Sequence, residues 1–301
     1  MIGLFKDEEI CNNYDNSDDI LKILKSSKGY NHEYIYRMLA GNSVLEKDKV
    51  LEFVKLISSA NAEYKARYIY YVLVNENVRK IGKNLEFAKL IDRSKAEYNA
   101  KYAALVLANR IAIEKGIAYE GAELVNKCDR DFKARFMGVV LTDVNAITLG
   151  DVFAFVKLIS ESGSEYNARY AALVLTNESA LEKGIAYMGA NLINESKEEF
   201  NALMAYCVFT YENVMAAGKS LEFASLINKF DTEYKTRYAG YILRNEEAIR
   251  SDVADVYAKI IGESTSEEEA SKIYMALVCS LNSEKRIGNR KSFSVKVREK
   301  L

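Results

Sequence analysis

The pattern of apolar and polar positions repeats at a fixed interval along the chain. The motif Glu-Tyr-x-Ala-Arg-Tyr and its variants place a first aromatic residue every 34 positions, at Tyr64, Tyr98, Phe132, Tyr166, Phe200 and Tyr234. Degenerate copies precede and follow this series, at Glu33–Met38 with an offset of 30 residues and at Glu269–Tyr274 with an offset of 36. A fixed period of this length is typical of repeat architectures, and here it predicts about eight units.

Each unit predicts a pair of helices. In the unit that begins at Glu97, the segment AEYNAKYAALVLAN is apolar over most of its circumference, which predicts a first helix buried on several sides. After an Asn and a Gly, the segment IAYEGAELV has apolar residues at three- and four-residue spacing, which predicts a second helix with one buried face. A short third helix, such as Ser179–Lys183, fits between the two.

Three sequence features predict how these helices pack and where they begin. The small residues Ala66, Ala100, Ala134, Ala168 and Ala202 let neighbouring first helices approach closely. The buried face of the second helices is expected to include Leu90, Leu124, Leu158, Leu192 and Leu226, together with Ile91, Val125, Ile159, Ile193 and Ile227. The pairs Ser94/Glu97, Ser162/Glu165 and Ser196/Glu199 fit a capping box, in which the serine would accept a hydrogen bond from a free amide of the helix start.

The fold class follows from these units. No segment alternates apolar and polar residues over a strand's length, so no sheet is expected. One unit cannot bury its own aromatic face, whereas stacked units bury a continuous core. We therefore predict an all-α protein, an α-solenoid of about eight helix-turn-helix repeats of ~34 residues with a right-handed superhelix. A single domain would span 1–301, with an irregular N-terminal cap repeat at 1–60, six regular repeats at 61–263 and a C-terminal cap repeat with a basic tail at 264–301.

The 34-residue helix-turn-helix period resembles that of tetratricopeptide repeats, and the general plan is similar to HEAT and armadillo solenoids. The resemblance extends to period and architecture, because the tetratricopeptide pattern includes Trp and a closing Pro and this chain contains neither. The turns must be made by Gly, Asn and Ser instead. What the resemblance implies is a non-catalytic scaffold that binds a protein or peptide.

Composition narrows the function further. Forty-two Lys and Arg balance 43 Asp and Glu, and a net charge of -1 disfavours nucleic acid and anionic membranes as partners of the whole molecule. Four Cys without a CxxC pair predict reduced thiols. No 18-residue apolar run and no apolar signal-peptide core are present, so we expect a cytoplasmic protein. With a single His and no phosphate-binding motif, we expect no metal, no cofactor and no catalytic site.

We expect the partner, a protein or peptide, to bind in the concave groove of a monomer or weak dimer. The exposed positions of the second helices would determine specificity: Glu86, Lys89, Glu120, Glu123, Lys157 and Asn191. A recurring asparagine at the end of the first helix could hold a peptide backbone, since its amide both donates and accepts: Asn75, Asn109, Asn177 and Asn245. The same asparagines are favourable helix caps.

Two further patterns leave alternatives open. The cations Arg67, Lys101, Arg135, Arg169 and Arg237 could bind carboxylates or phosphates, or each could pair with the acid four residues before it. The segment Glu284–Leu301 holds seven Lys and Arg against two Glu and could contact an acidic partner. The alternative functions are a nucleic-acid-binding or DNA-repair HEAT-like solenoid and a peptide-sensing bacterial regulator.

Overall fold

The computed structural model describes residues 2–41 and 47–287, with side chains for 7–41 and 47–281. Within these ranges every regular element is a helix and no strand occurs. The expectation of an all-α protein is confirmed. The basic segment predicted at Glu284–Leu301 lies outside the residues whose side chains are described.

The chain divides into two compact units, Met1–Ser160 and Glu161–Leu301. The helices of the first unit are α1 (Ile2–Cys11), α2 (Ser17–Ser26), α3 (Tyr30–Ala40), α4 (Val50–Ser58), α5 (Glu63–Val74), α6 (Glu76–Lys80), α7 (Asn84–Asp92), α8 (Glu97–Ala108), α9 (Arg110–Glu114), α10 (Ala118–Asn126), α11 (Asp131–Thr142), α12 (Val144–Leu149) and α13 (Val152–Ser160). Those of the second unit are α14 (Glu165–Leu175), α15 (Glu178–Glu182), α16 (Ala186–Asn194), α17 (Glu199–Phe209), α18 (Glu212–Ala216), α19 (Ser220–Ile227), α20 (Glu233–Leu243), α21 (Glu246–Arg250), α22 (Ala254–Gly262) and α23 (Glu267–Ile287).

From α5 onward the helices come in groups of a long first helix, a short helix and a second helix. In the group α8, α9 and α10, Asn109 leaves the helical region with φ -73° and ψ 123° and so ends α8. Gly116, at φ +73°, then turns the chain into α10 in a conformation that favours glycine. The short helix predicted at Ser179–Lys183 is confirmed as α15, and all six predicted second helices are present.

Within each unit, a first helix packs on its own second helix and on the next first helix. In the first unit α5 packs on α7 and α8, α8 packs on α10 and α11, and α11 packs on α13. In the second unit the same pattern joins α14 to α16 and α17, α17 to α19 and α20, and α20 to α22 and α23. All five predicted alanines of the first helices are fully buried, which is the condition for close helix approach.

The second helices bury the face that their periodicity predicts. The β-branched positions Ile91, Val125, Ile159, Ile193 and Ile227 are fully buried. Of the leucines one position earlier, Leu90, Leu158 and Leu226 are buried, while Leu124 and Leu192 are half-buried. The buried face is therefore confirmed, with two of its leucines at the edge.

The predicted capping boxes are wrong. Helix α8 begins at Glu97 with Ala96 as its N-cap, and Ser94 lies outside the helix and is buried. The extended backbone at Ala96, with φ -138° and ψ 161°, separates Ser94 from the free amides of α8. The serine hydroxyl instead donates to the side-chain oxygen of Asn126 at 2.7 Å, and the pairs Ser162–Asn194 and Ser196–Asn228 repeat this contact at 2.7 Å.

The offsets of 30 and 36 residues for the flanking copies are also wrong. Helix α23 begins at Glu267, 34 residues after Glu233 at the start of α20. At the other end, the buried residues Ile35, Met38 and Leu39 of α3 lie 34 positions before the buried Ile69, Val72 and Leu73 of α5. The two offsets came from matching aromatic residues. At both ends of the chain the buried positions and the helix start keep the 34-residue period, whereas the aromatic residues do not.

Candidate functional site

The second-helix positions predicted from the sequence are accessible. Glu86, Lys89, Glu120, Lys157 and Asn191 are exposed, and Glu123 is half-exposed. In the first unit four of them line two clefts. Asn191 lies in the second unit, where its amide donates to Glu195 at 3.0 Å.

The first cleft, named here the Lys49 cleft, has a volume of about 450 Å³. It is lined by Lys49, Phe53, Lys83, Leu85, Glu86 and Lys89. The Lys83 ammonium lies 2.6 Å from the Glu86 carboxylate, so one acid and one base of the lining neutralise each other. Lys89 supplies a further exposed cation to the cleft.

The second cleft, named here the Lys157 cleft, has a volume of about 480 Å³ and brings Glu120 and Lys157 together. Its apolar lining comes from Leu124 of α10, Cys128 just after that helix, Met137 of α11, and Phe153 and Val156 of α13. Its charged lining consists of Glu120, Lys127, Asp129, Lys133 and Lys157. Glu123 lies beside this lining and pairs with Lys127 at 3.6 Å.

The recurring asparagines are helix caps, as one of the two interpretations predicts. The Asn75 side chain accepts hydrogen bonds from the amides of Asn77 and Val78, at 3.0 and 3.2 Å. The other three accept from the amide three residues ahead: Asn109 from Ala112 at 2.9 Å, Asn177 from Ala180 at 3.0 Å and Asn245 from Ala248 at 3.0 Å. Their side-chain oxygens are thus already engaged, and contact with a peptide backbone stays a prediction for the remaining groups.

The recurring cations of the first helices each lie over the aromatic ring of the following residue. We call them the cation row. The cation-to-centroid distances are 6.0 Å for Arg67–Tyr68, 5.1 Å for Lys101–Tyr102, 4.6 Å for Arg135–Phe136, 5.5 Å for Arg169–Tyr170 and 5.2 Å for Arg237–Tyr238. Such contacts contribute roughly 0.5–1 kcal/mol at exposed sites. The charged groups of the cation row therefore lie against aromatic rings of the protein itself.

Carboxylates also neutralise part of the cation row. Arg67 donates to Glu63 at 2.8 Å, which confirms the predicted pair within α5, and to Glu97 of the next first helix at 3.4 Å. Hydrogen bonds to Tyr34 and Glu63 raise the pKa of Arg67 above its ordinary value. Arg237 contacts Glu267 of the next first helix. These pairs leave less positive charge for a phosphate backbone than the bare sequence indicates.

A second recurring feature of the first helices escaped the sequence reasoning. Large apolar side chains, 38% to 56% exposed, recur at 34-residue intervals except at the half-buried Cys207, and we call them the apolar row. The first unit contributes Tyr71, Leu105 and Val139, and the second unit contributes Leu173, Tyr241 and Met275. The signal in the sequence is an apolar residue seven positions after the first aromatic. It was missed because the first helices are apolar all round, and every apolar position was assigned to the core.

The cation row and the apolar row lie on one face of the first helices that carry both. In α5 the residues Glu63, Arg67 and Tyr71 are four positions apart, and side chains at that spacing share a helix face. The same order of acid, cation and apolar residue recurs in α8 with Glu97, Lys101 and Leu105. It also recurs in α11, α14 and α20, whereas α17 and α23 have no cation at the middle position.

The buried thiols are poorly suited to nucleophilic chemistry. Burial raises the pKa of Cys11 and of Cys128 to about 11, so both are protonated at neutral pH. The single histidine, His32, lies 3.6 Å from a carboxylate oxygen of Asp7. Within the described residues no three His, Cys, Asp or Glu side chains form a group that could hold a metal ion.

Two further findings bear on function. In the part of the chain that the structure describes, no helix has both the length and the apolarity needed to cross a membrane. No known protein-family model matches the chain, and no curated protein matches it significantly.

Proposed function

We propose that this protein is a non-catalytic α-solenoid scaffold of about eight repeats that binds another protein or a peptide. The 34-residue period and the recurring packing of each first helix on the next within a unit support the solenoid. A right-handed superhelix and a monomer or weak dimer complete the proposal. Cys11, Cys128 and Cys207 carry free thiols, which supports a cytoplasmic location.

The observation that carries this proposal is the apolar row. Single exposed apolar residues are ordinary on protein surfaces, whereas exposed apolar residues arranged together mark a contact with another macromolecule. Here neighbouring first helices repeat the same exposure: Tyr71 on α5, Leu105 on α8 and Val139 on α11. When a protein or peptide partner covers such a row, the hydrophobic effect contributes about 25 cal/mol of favourable free energy for each Å² of apolar surface buried.

The second-helix residues supply specificity in the same proposal. Glu86, Lys89, Glu120 and Lys157 line clefts of a size that accommodates side chains of a bound partner. We propose that these residues, with Glu123 and Asn191, face the concave groove of the solenoid. Charge reversal there would change which partner binds while leaving the buried face of the second helices intact.

The nucleic-acid alternative has weaker support. A nucleic-acid-binding surface needs cations that are free to replace counterions on phosphates. Arg67 is shared between two carboxylates, and Arg237 contacts Glu267. We expect no salt-dependent binding when labelled single- and double-stranded DNA is titrated with the protein at low and moderate salt.

The test uses aspartate substitutions in the apolar row. The full-length protein captures partners from a lysate of its source cells, the captured protein is identified by mass spectrometry, and its Kd is measured with purified components. We expect Tyr71→Asp combined with Leu105→Asp to abolish binding at unchanged helicity and Tm. The control combines Ile81→Asp with Val144→Asp, which alters equally exposed apolar residues outside the row. If the row variant binds as tightly as the control, the proposed surface is wrong.

A further inference from the structure

Polar side chains join one repeat to the next at several places in the chain. Ser94 donates to Asn126 at 2.7 Å, and the Asn126 amide donates to the backbone oxygen of Leu90 at 2.9 Å. The buried amide of Asn99 donates to the backbone oxygens of Val125 and Cys128, at 2.9 and 3.1 Å. We call Ser94, Asn99 and Asn126 the polar bridge, because together they connect the end of α7 and the start of α8 to the end of α10.

The second unit contains the same bridge. Ser162 donates to Asn194 at 2.7 Å, and Asn167 donates to the backbone oxygens of Asn194 and Ser196, both at 3.1 Å. Ser196, Asn201 and Asn228 repeat the arrangement in the following repeat. The bridge is thus present at three junctions, whereas two others have Ala60, Lys65 and Asp92 or Phe230, Lys235 and Gly262 at the corresponding positions.

The bridge is replaced at the junction between α10 and α13. The residues 34 positions after Ser94, Asn99 and Asn126 are Cys128, Lys133 and Ser160. Each of them bonds to a residue fewer than ten positions away in the chain. The Cys128 sulfur lies 3.0 Å from the Met137 sulfur and 3.7 Å from the backbone oxygen of Leu124, the Lys133 ammonium lies 3.7 Å from Asp129, and the Ser160 hydroxyl donates to the backbone oxygen of Lys157 at 2.7 Å.

The Lys157 cleft lies at this junction. Its lining includes all three replacing residues, Cys128, Lys133 and Ser160. The accessible apolar part of the lining comes from Leu124 and Phe153, which are half-buried, whereas Val156 and Met137 are almost fully buried. A volume of about 480 Å³ falls in the range of binding cavities, ~300–1,000 Å³.

One cation of the lining favours an anionic ligand. The lining holds three ammonium groups, on Lys127, Lys133 and Lys157, and two carboxylates, on Glu120 and Asp129, and Glu123 beside it adds a third carboxylate. Lys127 is paired with Glu123 and Lys133 with Asp129, both at distances beyond 3.5 Å. Lys157 is exposed and forms no ion pair with the described residues, so a ligand carboxylate would be its first partner.

We propose that the Lys157 cleft binds an acidic linear peptide segment. An apolar side chain of the peptide contacts Phe153 and Leu124, and a neighbouring carboxylate pairs with Lys157. The carboxylates of the cleft disfavour a phosphate backbone, which carries a negative charge at every nucleotide. The proposal rests on the proposed function in taking a peptide as partner, but it does not depend on the apolar row.

The binding experiment uses the full-length protein and fluorescein-labelled peptides. The probe has a Leu-Phe centre flanked by glutamates on both sides, and fluorescence anisotropy reports binding at low and moderate salt. One control peptide keeps the centre and replaces the glutamates by lysines, and another keeps the glutamates and replaces the centre by Gly-Gly. We expect only the first peptide to bind, more weakly as salt increases. Equal binding of the lysine-flanked peptide overturns the proposal.

Charge variants locate the binding in the cleft. We expect Lys157→Glu to raise the Kd of the acidic peptide about fivefold and Glu120→Lys to lower it about fivefold, because one exposed ion pair changes affinity by roughly that factor. Lys115→Glu is the matched control, since it makes the same charge change at an exposed residue outside the cleft. An equal effect of Lys115→Glu and Lys157→Glu shows a non-specific charge effect and overturns the assignment.

Restoring the polar bridge provides a structural test. The variant Cys128→Ser, Lys133→Asn and Ser160→Asn carries the residues of the other bridges. We expect it to lose peptide binding while its Tm equals or exceeds that of the parent. Retained binding at an unchanged or raised Tm overturns the proposal. The two proposals can fail separately. If the apolar-row variants lose their partner while all cleft variants bind the peptide unchanged, only the cleft proposal fails. If the cleft variants change peptide binding while the apolar-row variants keep their partner, only the apolar row is rejected.

Discussion

The hydroxyl of Ser94 lies 2.7 Å from the side-chain oxygen of Asn126, thirty-two residues further along the chain. The bond joins two successive repeats, and its serine is almost fully buried. The amide of Asn126 in turn donates to the backbone oxygen of Leu90, so the asparagine is held at both ends. Stability at this junction therefore depends on a polar contact between repeats as well as on apolar packing.

Removing the hydroxyl tests that dependence. We expect Ser94→Ala to lower the free energy of unfolding by about 1–2 kcal/mol, because the Asn126 oxygen loses its donor in a largely buried site. Urea denaturation followed by circular dichroism measures the change. Ser179→Ala, at an exposed position of α15, serves as the control and should change stability by less than about 0.5 kcal/mol. Similar losses in both variants would contradict a structural role for the bridge.

A glycine of α16 provides a packing test. A Cβ atom added at Gly189 would lie 2.3 Å from the ring of Phe209, which is fully buried. We expect Gly189→Ala to destabilise the protein by about 1–3 kcal/mol, since the ring must shift within a packed core. The matched variant Gly163→Ala meets no atom within 4 Å and should leave the Tm unchanged or slightly raised. Equal Tm values for the two variants would show that the ring moves freely.

The asparagine caps can be separated from a partner-binding role. Asn177 accepts a hydrogen bond from the amide of Ala180 at 3.0 Å and so starts α15. We expect Asn177→Ala to cost about 1 kcal/mol of stability and Asn177→Asp to cost little, because aspartate is an equally good N-cap. Thermal unfolding measures both. If both variants keep full stability while Asn177→Ala loses the partner, the asparagine binds the partner instead.

The thiol of Cys128 predicts a pH dependence of stability. Burial, with a smaller contribution from Asp129, raises the pKa of Cys128 from its ordinary value of 9.0 to about 11. The unfolded chain therefore releases this proton at a lower pH than the folded chain does, and the free energy of unfolding falls as the pH rises from 9 towards 11.

The measurement compares the parent with Cys128→Ser by urea denaturation across this pH range. Both proteins share every other titrating group, including Cys11, so the difference between them isolates Cys128. We expect the free energy of unfolding of the parent, relative to that of the variant, to decrease as the pH rises. A difference that stays constant with pH would show that the thiol ionises as readily in the folded protein as in the unfolded chain.

The sequence predicted the helices well because their signals are local. The burial of Ile91 and Val125 follows from three- and four-residue spacing within one segment. The cap formed by Asn109 follows from its position between two apolar segments. The same local reasoning failed at Ser94, since the spacing of a capping box says nothing about whether the backbone before the helix is extended.

The candidate surfaces were likewise predictable from the sequence only where the signal lies within one helix. Glu120 and Lys157 were predicted to be exposed from the polar face of their own helices, and they are. That they line one cleft was not predictable, because the cleft depends on how Cys128, Lys133 and Ser160 bond. Leu105 and Leu107 belong to the same apolar segment, yet only Leu105 is exposed. Neighbouring helices cover one and not the other.

By itself, then, the sequence determined the period, the helical class and the buried face of each second helix, because these depend on spacing within a single segment. The tertiary structure alone decided which polar atoms bind across repeats, where a cleft remains between α10 and α13, and which apolar residues of the first helices stay exposed. Those properties depend on contacts between different helices, with residues about 26 to 36 positions apart in the polar bridge, and a local pattern does not specify such contacts.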